Sequence, residues 1–403
     1  MLSTITILPP LLVILTFIPG SVVGFTTSRS TSFSIGSWLL ENPHRSPPRL
    51  SASSSSYSAF DLLYEDQQEA RARRAAVEQQ LLGTNIKALQ APTIRKAPVK
   101  RGSGFGSGKQ DTRSPQQRLA AEQAKIVHRD GVLRIDGALD SETCDRLRRH
   151  VLRQQALADI ETSKNAAIST EYYGVENRRK KRCDLLLSLI PEENDHVDGE
   201  MSDPSIIPDV LQKVLGTNGS LRPIYEELVT NQGEFYEFAA IITDPGSDRQ
   251  QIHPDLPHRK EAPLYVIFLA LQDVTEEMGP TTFLLGTHTL EERSKFDDES
   301  KKDEQLANAD SRLALLKKGD AVLFDARVLH CGNANQPNSG TTRAMFNFSF
   351  RNPKEVGDLG YCGSMRPGYV GRMTLADVGM ALDDYGKGAT NPFAKYGNGL
   401  VNA

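Results

Sequence analysis

Cysteine is scarce in this 403-residue chain, and the four present (Cys144, Cys183, Cys331 and Cys362) stand far apart. No C-x-x-C pair occurs, so neither a thiolate zinc site nor a disulfide framework is indicated, and the thiols read as reduced and mostly buried. Charge of one sign is missing too: 47 basic side chains face 51 acidic ones, a formal net charge of −4. That balance gives no footing for a nucleic-acid partner. The apolar run Leu11 to Ile18 is too short and too closely bounded by prolines for a membrane-spanning helix, so no stable span is expected in the mature chain. Internal repeats are absent, which removes solenoid and propeller architectures.

Basic residues are absent before Arg29. Leu11 to Ile18 has the length of a signal h-region and is followed by small residues (Gly20, Ser21, Gly24), but its basic n-region is missing. From Phe25 to Phe60 the chain is Ser-rich, carries Arg29, Arg45 and Arg49, and has Glu41 as its only acid, the composition of an organelle transit peptide. This signal-like segment joined to a transit-like one, with Phe25 at the junction, resembles the bipartite presequence of proteins entering complex, secondary algal plastids. Residues 1–60 are therefore expected to be a targeting presequence addressed to a plastid, with the secretory pathway as the alternative. The sparse cysteines agree with the plastid, since secreted proteins tend to be stapled.

Residues 61–117 read as a polar helix and a basic, disordered linker. Asp61 to Leu82 is rich in helix formers and mixed charge, which predicts a solvated helix. Thr84 to Gln117 sets seven basic residues against the single acid Asp111, broken by Pro92, Pro98 and the Gly102–Gly108 cluster. That glycine cluster fails as a phosphate loop: Ser103 stands where the first Gly belongs, Gln110 follows Lys109, and no strand precedes it. Nothing before Arg118 has the apolar periodicity to add to a core.

Residues 118–355 are the expected folded domain and 356–403 a C-terminal extension. Helices are predicted over Arg118–Arg129, from the Asp140/Ser141 cap to about Ala158, and twice within Ile206–Val229 around Gly219. Strands are predicted at Val132–Ile135, Cys183–Leu189, Gly233–Thr243, Leu264–Val274, Thr281–Leu285, Ala321–Phe324 and Thr341–Phe350. The last alternates, with Arg343, Met345, Asn347 and Ser349 on one face and Ala344, Phe346, Phe348 and Phe350 on the other. Glu291–Leu306 reads as an inserted loop, and Ala307–Leu316 as a helix. Short strands between turn signals imply a mainly β fold with flanking helices, a double-stranded β-helix (jelly roll, cupin-like).

His253-Pro254-Asp255, with a distant His330, is the ligand pattern of a 2-His-1-carboxylate site for non-haem Fe(II). His253 and Asp255, two apart at a strand end, project to the same face. Taken alone, that pair is equally well read as ordinary polar loop residues. Arg343 lies in an apolar strand, which is costly unless it is paired. A dicarboxylate such as 2-oxoglutarate satisfies it, with Thr341 offering a hydroxyl to the same carboxylate; a structural ion pair is the bland alternative. His258 reads as a surface residue, and His288 as structural or supporting.

These residues lie in a wider pattern. Asp130-Gly131-Val132, Gln251 to Asp255, Met278 to His288 (MGPTTFLLGTH), Lys318 to Phe324 (KGDAVLF), His330 to Asn335 (HCGNAN) and the strand Thr342 to Phe350 together resemble the phytanoyl-CoA dioxygenase family of Fe(II)- and 2-oxoglutarate-dependent oxygenases. The resemblance runs from about Ile126 to Pro353. It implies that His253, Asp255 and His330 ligate iron, that Arg343 grips the co-substrate carboxylate, and that O2 is the second co-substrate, with ascorbate as an auxiliary reductant. The family's usual Gly-Ser-His turn is Gly286-Thr287-His288 here, and Leu285 replaces a usual Pro. The implied reaction couples decarboxylation of 2-oxoglutarate to succinate with hydroxylation of an unactivated C–H bond in a small-molecule or lipid-like substrate. Asp255 favours hydroxylation, because related halogenases lack that carboxylate. The alternatives are a non-enzymatic jelly-roll binding protein and a cupin-type metal enzyme that does not use 2-oxoglutarate.

Overall fold

The computed structural model describes residues 4–7, 13–16, 59–94, 112–177, 181–190, 196–197, 200–201, 203–360, 363–366 and 373–397. Two units are distinguished, residues 1–63 and 64–403. In the first, β1 (Thr4–Ile7) pairs antiparallel with β2 (Val13–Thr16). The rest of the expected presequence up to residue 58, and the glycine cluster of the linker, lie outside the described residues.

Helix α1 (Ala59–Leu82) and β3 (Lys87–Ala88) precede the segment expected to fold. Helix α2 (Pro115–Asp130) starts on a reciprocal capping box between Ser114 and Gln117, with Pro115 where a missing N–H does no harm. It stops at Gly131, whose φ of 77° places it in the left-handed region. A Cβ there would also run into Val328 and His288, so this turn needs glycine twice over. After β4 (Val132–Ile135), the Asp140 side chain caps α3 (Ser141–Lys164) by accepting from Thr143 N–H. Then come β5 (Tyr173–Asn177), β6 (Arg182–Leu186) and the small pair β7 (His196–Val197) and β8 (Glu200–Met201). Helices α4 (Ile206–Leu215) and α5 (Arg222–Val229) lead into β9 (Glu234–Thr243), β10 (Leu264–Ala270) and β11 (Thr281–Leu284). Two further helices, α6 (Leu290–Asp297) and α7 (Glu299–Asn308), precede β12 (Ser311–Leu313), β13 (Ala321–Asp325), β14 (His330–Gly332) and β15 (Arg343–Arg351). Helix α8 (Leu375–Gly386) follows.

The strands form a major sheet in the order β4-β13-β10-β15-β9-β6-β5 and a minor sheet β14-β11-β12-β3. Every pairing within them is antiparallel except β12 with β3. This is the expected mainly β jelly roll with flanking helices, built as two sheets rather than a closed barrel. The alternation of β15 explains its layers. Ala344, Phe346, Phe348 and Phe350 pack with Tyr225, Phe235 and Phe238 and with α2, α3, α4 and α8 in the larger core. Met345 turns into the space between the sheets, where Phe283 of the minor sheet meets Phe324 of the major sheet at 5.1 Å between centroids.

Several expectations are corrected. Glu291–Leu306 is not a loop but parts of α6 and α7, capped by Thr289 and Asp298 and held by i,i+4 pairs such as Arg293–Asp297, with Phe296 and Leu306 buried. The helix expected over Ala307–Leu316 ends at Asn308, and Ser311–Leu313 is a strand. Pairing with β11 fills a sheet edge, and tertiary hydrogen bonding overrides local helix propensity. Helix α1 is not solvated all round: Ala75 and Glu78 are buried. Nor is the linker bare throughout, since Lys87–Ala88 pairs with Arg312–Leu313 and Leu89 is buried. Beyond residue 356, Met373, Leu375, Val378, Ala381, Leu382 and Phe393 sit in the larger core. Cys144, Cys183 and Cys331 are buried and outside any disulfide, as expected of isolated thiols.

Candidate metal centre

Backbone pairing brings the two distant histidines together. His253 and His330 form an antiparallel bridge, with His253 N–H donating to His330 O at 3.0 Å and His330 N–H to His253 O at 2.9 Å. Their rings lie 4.7 Å apart between centroids. Phe283 and Phe324 pack on the His330 ring at 5.6 and 5.2 Å and fix its orientation. Asp255 Oδ1 is 3.4 Å from His330 Nε2 and 3.8 Å from His253 Nε2. One ligand atom from each of the three lies within 4.8 Å of the others.

The other ring nitrogens point the opposite way, onto main-chain carbonyls: His253 Nδ1 to Gln251 O at 2.8 Å and His330 Nδ1 to Val328 O at 3.0 Å. A carbonyl only accepts, so both Nδ1 atoms carry a proton, and each Nε2 faces Asp255, as a second N–H when the imidazole is charged and as a lone pair free to ligate when it is neutral. This is the outer arrangement that a metal-binding imidazole requires. Loss of surrounding water works against charge on all three groups, of which His330 is buried, His253 half-buried and Asp255 open to solvent. For Asp255 it is outweighed by the attraction and hydrogen bond of His330, which hold the carboxyl below its usual range. For His330 burial is outweighed by the Asp255 charge, so its pKa is raised. Burial and the neighbouring His330 lower that of His253.

Arg343 opens β15 on its inner face, 3% exposed. Its Nη1 donates to Gly279 O and its Nη2 to Thr243 Oγ1 at 3.3 Å, both neutral acceptors, while the buried Nε has no partner. Burial, with a smaller push from Arg182, lowers its pKa to about 9. A small, mostly apolar cavity of about 10 Å³, room for no more than a water, is bounded by Phe268, Thr281, Phe283, Met345 and Arg343 between the sheets. The alternative reading, an ion pair with a strand neighbour, is not formed among the described residues. Thr341 is corrected: it is exposed and precedes the strand, its carbonyl accepting from Asn335 Nδ2. The hydroxyl beside Arg343 is that of Thr243, its register partner on β9.

Two further groups were not anticipated. Arg182 pairs with Thr243 on the side opposite Arg343, so the two guanidinium-bearing residues flank one threonine across three strands. Burial lowers its pKa to about 10, and its Nη2 donates to Ser247 Oγ and to the carbonyls of Asp248 and Asn333. In the sequence it closes the basic run Arg178–Lys181 and looks like solvated charge. Asp184, two residues on, has an enclosed Oδ1 without a partner. Burial, with the Asp255 charge adding to it, pushes its carboxyl up to about 6 despite a hydrogen bond from Ser364. An acid inside an otherwise apolar strand was the signal. His288 is structural as expected, its Nε2 on His128 O at 3.1 Å, and half-buried His258 has its Nδ1 3.3 Å from the His288 carbonyl.

Fold and site thus define a jelly roll in which two histidines and one carboxylate stand close enough together to hold a metal ion. Residues 127–344 match the profile of the phytanoyl-CoA dioxygenase (PhyH) family, more than half of the chain, and the chain belongs to that family. Among curated relatives, the Fe(II)/2-oxoglutarate-dependent dioxygenase nvfF of Aspergillus novofumigatus is 33% identical over 26% of this chain and 36% of its own length. The dioxygenase aneA of Aspergillus aculeatus is 22% identical over 57% of this chain and 73% of its own. The chain thus spans about a third of one relative and about three quarters of the other. Solved structures similar to it include the non-heme alpha ketoglutarate dependent epimerase SnoN (16% identity, TM-score 0.40, 62% of this chain and 92% of that one). The carbocyclase SnoK is a second (16% identity, TM-score 0.42, 59% and 86%), both from nogalamycin biosynthesis.

Proposed function

We propose that the protein is an Fe(II)- and 2-oxoglutarate-dependent dioxygenase that hydroxylates an unactivated C–H bond of a small-molecule or lipid-like substrate. The observation that carries this reading is Arg343, a buried cation with an unpartnered Nε and only neutral acceptors, at the edge of the cavity between the sheets. Such a group calls for an anion, and its planar fork suits a carboxylate. His253, Asp255 and His330 would hold the metal, whose bound form supplies the coupling of 2-oxoglutarate decarboxylation to O2 chemistry. The chain's own part is to present two Nε2 lone pairs and one carboxylate oxygen, to anchor the far carboxylate of the co-substrate, and to line the cavity with apolar rings that exclude water.

The test is release of succinate from 2-oxoglutarate by the purified chain with Fe(II), O2 and ascorbate, followed by screening of a metabolite extract for compounds that stimulate it. Protein that binds Fe(II) but neither binds nor consumes 2-oxoglutarate would put the cupin-type alternative first. The composition of residues 1–60 supports delivery to a plastid. A fluorescent fusion of residues 1–60 retained in the secretory pathway would overturn that placement.

A further inference from the structure

Helix α1 lies outside the segment shared with the family, yet one of its faces is buried. Arg74, Ala75, Glu78, Leu81 and Leu82 recur at helical spacing, and Glu78 is fully enclosed. An enclosed carboxylate is costly unless hydrogen-bonded, so its partners are informative. Glu78 Oε1 accepts from Arg74 Nε at 3.1 Å, and Oε2 accepts from the backbone N–H of Ile252 at 2.7 Å. Ile252 is the residue before His253. Because His253 N–H points at His330, the preceding N–H points to the opposite side, where none of the described strands continues the ladder. Glu78 stands in for that missing strand.

The second ligand is reached through Arg249. Its Nη1 donates to Ala75 O at 2.7 Å, its Nε to Asn333 Oδ1 at 3.2 Å, and its Nη2 lies 3.2 Å from Cys331 Sγ, next to His330. Leu81 and Leu82 pack on the cluster of Ile252, Leu329 and Cys331, the chain neighbours of both histidines. Packing alone would be served by an apolar residue at 78. A carboxylate aimed at one main-chain N–H instead fixes the position of that strand.

We propose that α1 is a clamp on the metal centre, with Glu78 and Arg249 as positioning residues that hold the His253 and His330 segments at the spacing a metal needs. The inference rests on the metal-centre reading. Its test uses the full chain with Co(II) as the probe metal, reading affinity and visible absorption bands, together with amide hydrogen exchange at Ile252. Glu78→Ala should weaken Co(II) binding roughly ten- to a hundredfold, the usual scale for partners that orient metal ligands, and shift the bands. Glu78→Gln, whose amide oxygen still accepts from Ile252 N–H, should recover most of the loss. A folded Glu78→Ala protein with unchanged affinity and bands overturns the clamp, and so does a Gln variant as impaired as the Ala one. Should the Ala variant not fold, exchange in the unmodified chain decides: Ile252 should be as protected as His330 with and without Co(II), and rapid exchange there overturns the proposal. Failure of the unmodified chain to bind Co(II) would instead sink the metal-centre reading, while Ile252 protection still reports whether α1 is docked.

Discussion

Single side chains carry the chemistry, and their effects should separate cleanly. Arg343 touches the cavity and none of the three ligands, so Arg343→Ala should raise the KM for 2-oxoglutarate and leave metal affinity unchanged. An unpaired, desolvated carboxylate corresponds to a loss of about 2–5 kcal/mol, or roughly thirty-fold to several thousand-fold in KM. Arg343→Lys should restore only part of it, because the fork is gone. An unchanged KM would place the co-substrate elsewhere. His330→Ala should abolish tight Fe(II) binding with the fold retained, measured by titration of the apo-protein; full activity would remove His330 from the ligand set. The Asp255–His330 pair also fixes a pH dependence. His330 has a raised folded pKa, so its contribution to apo stability is present below the unfolded value and lost as pH rises through the folded one. Asp255 is depressed, so its contribution is present above the unfolded value and lost as pH falls. Bound metal displaces the His330 proton, so the rise in Tm caused by Co(II) should be larger at pH 8 than at pH 6. An equal rise at both would show that this proton is not in competition with the metal.

At the scale of elements, β15 joins the two halves of the design, with aromatic rings outward to the helices and polar groups inward to the site. Phe348 is fully buried among Tyr225, Phe235, Phe346 and Phe350. Phe348→Ala should lower unfolding free energy by roughly 3–5 kcal/mol, measured by denaturant titration, because the cavity it leaves is walled by rigid rings. A cost under 1 kcal/mol would mean that the helical layer collapses into the space. The alternation that set these faces was legible in the sequence. The fate of 307–316 was not, because a short polar stretch with helix formers becomes a strand only when an open sheet edge lies beside it.

For the whole molecule, the consequence of α1 and β3 is that the expected folded domain is framed by segments on either side of it. A chain lacking residues 1–63 keeps the contacts of Arg74, Ala75 and Glu78 and should bind Co(II) and 2-oxoglutarate like the full chain. A chain beginning at Ser114 loses α1 and the β3–β12 pairing, and should bind Co(II) at least tenfold more weakly, as read by titration. Equal affinities in the two would return α1 to the role of a dispensable polar helix.

The sequence by itself pointed to the candidate site residues and to the two faces of β15. His253, Asp255 and His330 stand out through their spacing, a His-x-Asp pair with a distant second His, Arg343 stands out as a cation inside an apolar strand, and the period-2 alternation of β15 separates its apolar face from its polar one. Helix ends were legible in part, since capping is local: the Asp140 cap and the stop at Gly131 were read, while the Ser114–Gln117 box, which starts the helix at Pro115 rather than Arg118, was missed. What only the tertiary structure decided is which surface polar residues stop being surface. Glu78, Arg182 and Asp184 look like solvated charge or a strand interruption in sequence, and Thr341 looks like part of a strand that in fact begins two residues later. Their roles depend on what docks beside them, across separations of 100 residues or more for Glu78 against Ile252, and long-range pairing of that kind leaves no periodic trace in the chain.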